Sequence, residues 1–564
     1  MIDILSYDMK VIKWEKIINV RCVVIMVVKN LKVIIQSNNI INDISFTLND
    51  GDKIGLVGNN GSGKTTLLKA LSNNLPYIGS IKLNTEQVDY LKQEISYIYN
   101  ELTVIQYIKQ VIGIDSLENK LYELENNLTE DNMDCYSDTL NKYLALDGYN
   151  FTDNLNIILN GLNFKESSDM LIKYLSGGEK IKILLACLLL SNKDILLLDE
   201  PTNNLDLDAI NWLEGYLRKL TKKMIIVSHD EMFLNSIVNK VFELNNGKIL
   251  EYNMKYNDYL KEKEKEYNNQ LEEYKKIIQK RDKLKQQLEK TKVWVSKGNN
   301  KKSYSDNDKI ANNYAKERTN NSNISKISKA LTELEIPYFK EKKELNFFFN
   351  LDTDKGNKDI YLNNLVCGYN NFKTPTINIS IPYGSKIQIC GSNGSGKTTL
   401  VRTILNEIEP LSGKVILGSS VKIGYISQDT LNGNTNDTVL KYLTNDIKDY
   451  DLSMIFTLLD KFNISYDDKD KPYSILSPGQ RTRVNLVKIA LSRINVLILD
   501  EVTNHLDKEA IDLIYELIST YQGTIISISH NRKYNDILNA SMLIDISTGN
   551  IEYKNSDNIK QYKK

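Results

Sequence analysis

The sequence predicts an α/β protein built as two copies of one domain joined by an α-helical hairpin. Three observations carry this expectation. Four motifs occur twice in the same order. In each copy an apolar run of strand length ends in two carboxylates. Between the copies lies a charged stretch, glycine-free over 255–292, whose apolar residues recur at helical spacing.

The repeat sets the domain organisation. GNNGSGKT at 58–65 returns as GSNGSGKT at 391–398, a shift of 333 residues. LSGGE at 175–179 returns as LSPGQ at 476–480, ILLLDEPTNNLD at 195–206 as VLILDEVTNHLD at 496–507, and IIVSHD at 225–230 as ISISHN at 526–531. The last three shifts all equal 301, as a tandem duplication requires. The first copy therefore carries 32 extra residues between its first two motifs. Gln93 and Gln428 differ by 335, so the extra length follows Gln93. Within 100–160, Leu121, Leu124, Leu140, Tyr143 and Leu144 fall at three- and four-residue spacing, which predicts an inserted helical arm.

The central stretch reads as an antiparallel helical hairpin. Leu260, Tyr267, Leu271, Tyr274, Ile278, Leu284 and Leu288 form one stripe, and Ile324, Ile327, Leu331 and Leu334 a second that Pro337 ends. An arm of ~40 residues per helix reaches roughly 60 Å. The expected boundaries are an extension at 1–25, a first domain at 26–253, a hairpin at 254–337 and a second domain at 338–564. MVVKNLKV from Met26 makes a natural first strand, and the sequence leaves open whether 1–25 is an extension or lies upstream of the true start.

Composition narrows the class. Of 564 residues, 41% are hydrophobic and 26% charged, the balance of a soluble globular protein. Five scattered cysteines, odd in number and without CxxC spacing, argue for a reducing cytosol and against a disulfide framework or zinc site. No run reaches the roughly 18 apolar residues of a membrane helix, and no signal peptide is read.

The repeated motifs specify phosphate chemistry. In GxxxxGK[ST] the glycines let backbone N–H groups wrap phosphate oxygens at a helix N-terminus. The candidate ATP-binding residues are Gly58, Asn59, Asn60, Gly61, Ser62, Gly63, Lys64, Thr65 and Thr66, then Gly391, Ser392, Asn393, Gly394, Ser395, Gly396, Lys397, Thr398 and Thr399. Lys64 and Lys397 reach the terminal phosphates, and Thr65 and Thr398 ligate Mg²⁺. Asp199 and Asp500, at the carboxyl ends of buried strands, are placed to hold the metal's water shell. Glu200 and Glu501 beside them are the candidate general bases. His229 and His530, two of only three histidines, follow matching strands and are placed near the γ-phosphate. His505 has Asn204 as its counterpart and receives no catalytic role.

These motifs, in this order, resemble those of ATP-binding-cassette (ABC) ATPases. Two cassettes in one chain, an arm in the first, a charged hairpin between them and the wording PTNNLD/VTNHLD resemble the ABC-F family of ribosome-acting ATPases over about residues 26–564. The resemblance implies a mixed sheet core plus a helical subdomain in each P-loop ABC ATPase domain. It adds Gln93 and Gln428 to the metal set. It also implies that the cassettes close face to face within one monomeric chain. Site one then pairs Lys64, Glu200 and His229 with Ser477 and Gly479. Site two pairs Lys397, Glu501 and His530 with Ser176, Gly177 and Gly178. Tyr369 suits the aromatic that the family often stacks on adenine, whereas VIIQSNN at 33–39 holds none. Pro478, standing where the first copy has Gly177, has no N–H to offer site one. Site one is therefore expected to hold or hydrolyse ATP less well, although Val502 in place of Pro201 departs in the other site.

The expected partner is the ribosome. Residues 275–329 hold sixteen Lys/Arg against five Asp/Glu, inside a chain of net charge zero. Such a segment suits a phosphate backbone. Lys292, Trp294, Lys297, Lys301 and Lys302 are the candidate RNA contacts, with Tyr304 and Tyr314 as further stacking groups. The resemblance implies cytoplasmic, ribosome-associated action near the E site. There the linker approaches P-site tRNA and the peptidyl-transferase centre, as antibiotic protection or as a housekeeping translation factor. The same catalytic residues would also serve a drug exporter's ATPase subunit, and a DNA-repair or chromosome-associated ATPase fits less well because the hairpin is short and no zinc motif occurs.

Overall fold

The computed structural model describes residues 26–554 apart from 60, 83–86, 93, 300–322, 335–338, 340–355, 370–371, 428–435, 446–450, 463, 504–505 and 507. The 1–25 stretch, Asn60, Gln93, Gln428, Lys301, Lys302, Tyr304, Tyr314 and His505 lie outside the described residues, as do the side chains of Trp294 and Lys297. The chain forms two compact units: Met1–Tyr256 with Phe347–Lys564, and Asn257–Asn346.

The first unit contains both copies. Each is built on a six-stranded sheet. In the first, the strand order is Val88–Tyr90, Ile195–Asp199, Lys223–Val227, Lys53–Val57, Lys240–Asn245 and Lys248–Tyr252. The second repeats this order with Ile423–Ser427, Val496–Asp500, Thr524–Ile528, Lys386–Cys390, Met542–Asp545 and Asn550–Tyr553. Only the last strand of each sheet runs antiparallel. The runs ILLLD and VLILD are apolar without alternation because both faces of each sheet are covered; every residue of both strands is buried.

A three-stranded antiparallel sheet packs beside each core. Met26–Ile35 pairs with Asn38–Leu48 and Ile78–Lys82 in the first copy. Ile360–Val366 pairs with Ile377–Ile381 and Ser412–Leu417 in the second. Inward residues such as Val28, Leu31, Phe46, Leu362 and Ile379 join the parallel sheet's Ile54, Ile195, Ile387 and Ile498 in two separate cores.

The helical subdomains differ where the repeat predicts. Both contain a Thr-capped helix (Val104–Ile112; Val439–Thr444), a second helix (Phe151–Gly161; Leu452–Lys461) and the helix opened by the LSGGE-like motif (Gly177–Leu190; Pro478–Leu491). The helices Ile114–Asn126 and Met133–Ala145 pack on one another in the first copy and have no counterpart among the described residues of the second. Of the apolar positions that predict the arm, Leu144 is 50% exposed; the buried positions of its helix are Thr139 and Tyr143. Thr139 enters the packed stripe because its hydroxyl is satisfied by the Cys135 carbonyl at 2.7 Å.

In the second unit, Tyr256–Asn299 continues as a single helix of 44 residues, about 66 Å long at 1.5 Å per residue. Leu260, Tyr267, Leu271, Tyr274, Ile278, Leu284 and Leu288 are half-buried along one stripe. Phe339 lies 5.3 Å from the rings of both Tyr267 and Tyr274, so the returning chain packs on that stripe. Residues 323–332 form a short second helix with Ile324, Ile327 and Leu331 half-buried. Among the described residues, no helix is long and apolar enough to cross a membrane.

Candidate nucleotide sites

The phosphate loop of the second copy leaves strand Lys386–Cys390 and enters helix Lys397–Ile404. Its turn demands glycine at Gly396, where φ is +97° and a Cβ would stand 2.8 Å from the Phe372 ring and 2.9 Å from Thr374. Gly63 occupies the same position in the first copy, with φ +99° and Ile40 at 2.8 Å. Lys397 Nζ folds back onto the carbonyls of Gly391 at 2.9 Å and Ser392 at 3.3 Å. Lys64 Nζ does the same with Gly58 at 2.8 Å and Asn59 at 3.1 Å. Each lysine ammonium is thus held at the mouth of its own loop.

The acidic strand ends lie opposite. Glu200 and Glu501 both adopt left-handed backbone, φ +51° and +50°. That turn is pinned by bonds from their amides to the Val227 and Ile528 carbonyls, 2.9 Å each. It aims each carboxylate at the histidine of the next strand: Glu200 Oε1 is 3.5 Å from His229 Nε2, and Glu501 Oε1 is 3.6 Å from His530 Nε2. Holding non-glycine residues in this region costs about 1 kcal/mol or more, which marks both turns as functional candidates. Burial, then the Asp199 charge, push the Glu200 carboxyl up to about 7. Burial and Glu501 push Asp500 up to about 6, while the Thr398 hydroxyl bonds to it. Burial and the Lys397 ammonium hold His530 down at about 4. Its ring is therefore neutral at physiological pH and accepts from Lys397 Nζ at 3.2 Å.

The two copies meet over the second loop. A cleft of about 540 Å³ is bounded by Tyr369, Phe372, Asn393, Gly396, Lys397, Thr398, Glu501 and His530 of copy two and by Gly178, Asn204, Glu200 and His229 of copy one. Gly178 lies in the first turn of helix Gly177–Leu190, whose Ser176 and Glu179 form a capping box. Two contacts cross the boundary here: Lys165 Nζ to Ser392 Oγ at 2.7 Å and Asn393 Nδ2 to the Asn204 carbonyl at 2.9 Å. The cleft over the first loop, about 440 Å³, has a different lining. Among the described residues it is bounded by Asn39, Ile40, Gly58, Ser62 and the 243–247 turn, all of copy one. Ser477 and Gly479 do not line it. Glu200 faces both ways, feeling the Lys64 charge and lining the composite cleft.

Both loops have the donors that a polyphosphate requires. Ser62 Oγ and Ser395 Oγ are buried without a hydrogen-bond partner, and each sits one residue before a loop's last glycine. A buried hydroxyl left unpaired costs of order 1–3 kcal/mol, which a phosphate oxygen would recover. The side chains that could hold a metal are hydroxyl and carboxylate: Thr65 and Asp199, Thr398 and Asp500.

Two features escaped sequence reasoning. Tyr90 OH donates to Asp199 Oδ2 at 3.3 Å, and Tyr425 OH lies 3.5 Å from Asp500 Oδ2. The signal was present, because Tyr90 and Tyr425 share the 335-residue shift of the two glutamines. Phe372, which joins Tyr369 on one wall 5.9 Å away, was also missed.

Comparison with known proteins agrees with this geometry. Residues 41–203 and 375–504 match the family described as ABC transporter. The chain is 30% identical over 536 residues to the probable ATP-binding protein YbiT of Escherichia coli O157:H7, covering 93% of this chain and 96% of that one. It is 28% identical to ABC transporter F family member 2 of Arabidopsis thaliana, covering 90% and 74%. Among solved structures it is similar to the archaeal ribosome recycling factor aABCE1, crystallised with the ribosomal stalk protein aP1. That match has a TM-score of 0.51 and 19% identity, covers 91% of this chain and 86% of that one, and speaks for the fold alone. The chain belongs to the ABC-F family of tandem ATP-binding-cassette ATPases.

Proposed function

We propose that this ATPase is a nucleotide-gated clamp that acts on the ribosome in the cytoplasm. ATP with Mg²⁺ draws the cassettes together around the phosphate loops; hydrolysis lets them part. Lys64 and Lys397, oriented by their loop carbonyls, meet the β- and γ-phosphates. Thr65, Asp199 and Gln93 would hold one metal, and Thr398, Asp500 and Gln428 the other. Mg²⁺, when bound, neutralises charge on the transferring phosphoryl group. Glu200 and Glu501 polarise the attacking water, His229 and His530 contact the γ-phosphate, and Tyr369 stacks on adenine at site two.

The observation that carries the ribosomal reading is the hairpin. A 44-residue helix enters a segment with sixteen cationic and five anionic side chains, in a chain that is otherwise net acidic. An extended cationic rod suits a cleft of nucleic acid, with salt-sensitive affinity. In this reading it occupies the E site and reaches toward P-site tRNA and the peptidyl-transferase centre, protecting the ribosome from antibiotics bound there. Lys292, Trp294, Lys297, Lys301 and Lys302 are the proposed contacts. The test is co-sedimentation of the double variant Glu200→Gln/Glu501→Gln with 70S ribosomes in ATP. Retention is expected with ATP and release with ADP. Absence from the pellet, with membrane proteins captured instead, would transfer the protein to a drug-export role. Susceptibility to lincosamides, pleuromutilins, streptogramin A, macrolides and oxazolidinones, with and without the gene, separates protection from a housekeeping role.

A further inference from the structure

The two copies also meet through a charge cluster of which the repeated motifs contain only Asp230. Arg532, two residues after His530, reaches from copy two into copy one. Its Nη2 lies 2.9 Å from Glu214 Oε2 and 3.6 Å from Asp230 Oδ2, and its Nη1 donates to Asn211 Oδ1 at 3.3 Å. Asp230 directly follows His229, and its other carboxylate oxygen caps helix Glu231–Ile237 through the amides of Met232 and Phe233. Beside it, Glu231 takes Lys533 at 2.7 Å and Lys508 at 3.2 Å.

The cluster is one-sided. Applying the 301-residue shift, Glu214, Asp230 and Glu231 of copy one correspond to Tyr515, Asn531 and Arg532 of copy two. All three anions come from one cassette and all three cations from the other. Two copy-one faces would set acids against acids, and two copy-two faces would leave Arg532 without a carboxylate. The side chains of Arg532, Glu214 and Asp230 are 21%, 13% and 12% exposed, so the pairs are screened less than surface ion pairs.

We propose that Arg532 is a positioning residue that yokes the two ATP sites. It ties the turn bearing His530 to the turn bearing His229, so that one site's occupancy fixes the geometry of the other. A continuous path follows: Lys397 to His530 at 3.2 Å, two residues on to Arg532, across to Asp230, back one residue to His229, and on to Glu200 at 3.5 Å. The arrangement rests on the assignment of Glu200 and Glu501 as the catalytic carboxylates. Arg532 itself lines neither cleft; it reaches the composite one through Asp230, which does.

The test compares Arg532→Met, which keeps the apolar stem, with Arg532→Lys, which keeps the charge. Each is placed in the full-length wild type and in Glu200→Gln and Glu501→Gln backgrounds. Coupling of this kind is typically worth 5- to 150-fold. The expected result is a fall in kcat on the order of tenfold for Arg532→Met in both single-site backgrounds. In the wild type the Hill coefficient for ATP should drop toward one, KM should stay near its original value, and Arg532→Lys should recover most of the loss. A fall confined to the Glu200→Gln background would mean that Arg532 serves its own site only and would overturn the proposal. So would a lowered Tm with unchanged kcat and Hill coefficient, or no change at all. If Glu200→Gln and Glu501→Gln each retain full turnover, it is the catalytic assignment that fails, visibly and before Arg532 is altered.

Discussion

Asn393, inside the second phosphate loop, donates its side-chain amide to the backbone carbonyl of Asn204 at 2.9 Å, across the boundary between the two copies. Asn204 presents that carbonyl from a left-handed conformation, φ +62°. The candidate phosphate loop is thereby tied to the segment that follows strand Ile195–Asp199 of the other cassette. Closure and phosphate binding share one bond.

Because the acceptor is backbone, the two partners respond differently to substitution. Asn393→Ala removes the donor and is expected to reduce turnover about two- to tenfold, the worth of a neutral hydrogen bond of about 0.5–1.5 kcal/mol. Asn204→Gly keeps the carbonyl and tolerates the backbone, so near-normal activity is expected. Asn204→Val forces a β-branched residue into the left-handed region and should lose both activity and stability. Steady-state ATPase rates and thermal melts of the three variants check this; equal losses in Asn393→Ala and Asn204→Gly would contradict it.

The proposed inequality of the two sites can be tested by exchanging one residue in each. Gly177 and Pro478 both begin a helix capped by a serine and its capping box, and proline is well tolerated at that first position. A Cβ on Gly177 would meet nothing within 4 Å. Gly177→Pro therefore should fold normally yet remove one amide from site two, lowering turnover on the order of ten- to a hundredfold in a Glu200→Gln background. Pro478→Gly should raise turnover of site one in a Glu501→Gln background. Glu200→Gln and Glu501→Gln alone should differ in residual rate.

The buried serines predict effects of opposite sign. Ser395 Oγ has no partner in the protein, so Ser395→Ala should leave the nucleotide-free protein equally stable or more stable by up to about 1 kcal/mol. The same change deletes a donor aimed at phosphate, and ATP affinity should fall several-fold. Differential scanning calorimetry without nucleotide and titration calorimetry with a non-hydrolysable ATP analogue read the two effects separately. A loss of both would make Ser395 an ordinary core residue.

Much of this architecture was legible because duplication prints each functional position twice. Strands such as ILLLD and VLILD, the two phosphate loops and the two histidines stood out through constant shifts. The helical arm was legible as surplus length, but its packed phase was not. A hydrophobic count cannot foresee that Thr139, its hydroxyl satisfied on Cys135, is buried while Leu144 is exposed. The Arg532 cluster was invisible for the opposite reason. Its positions carry Glu231 in one copy and Arg532 in the other, so the comparison that revealed the catalytic residues made them look like drift. Only the facing of the two copies gives the difference meaning.

The long helix offers the most direct test that separates the proposed ribosome binding from catalysis. Lys285, Lys290 and Lys292 are exposed on the long helix, and the helix begins a compact unit distinct from the one holding both nucleotide clefts. Replacing all three by alanine keeps helix propensity and removes three potential phosphate contacts. Each lost contact should lower ribosome affinity and make the dependence of log affinity on log salt shallower by nearly one. Basal ATPase rates without ribosomes should stay at the unmodified level. Sedimentation across a salt series, with the Glu200→Gln/Glu501→Gln double variant as the parent, measures the slope. An unchanged slope with unchanged affinity would remove the helix from the nucleic-acid interface, and a fall in basal ATPase would show that its lysines serve the cassettes instead.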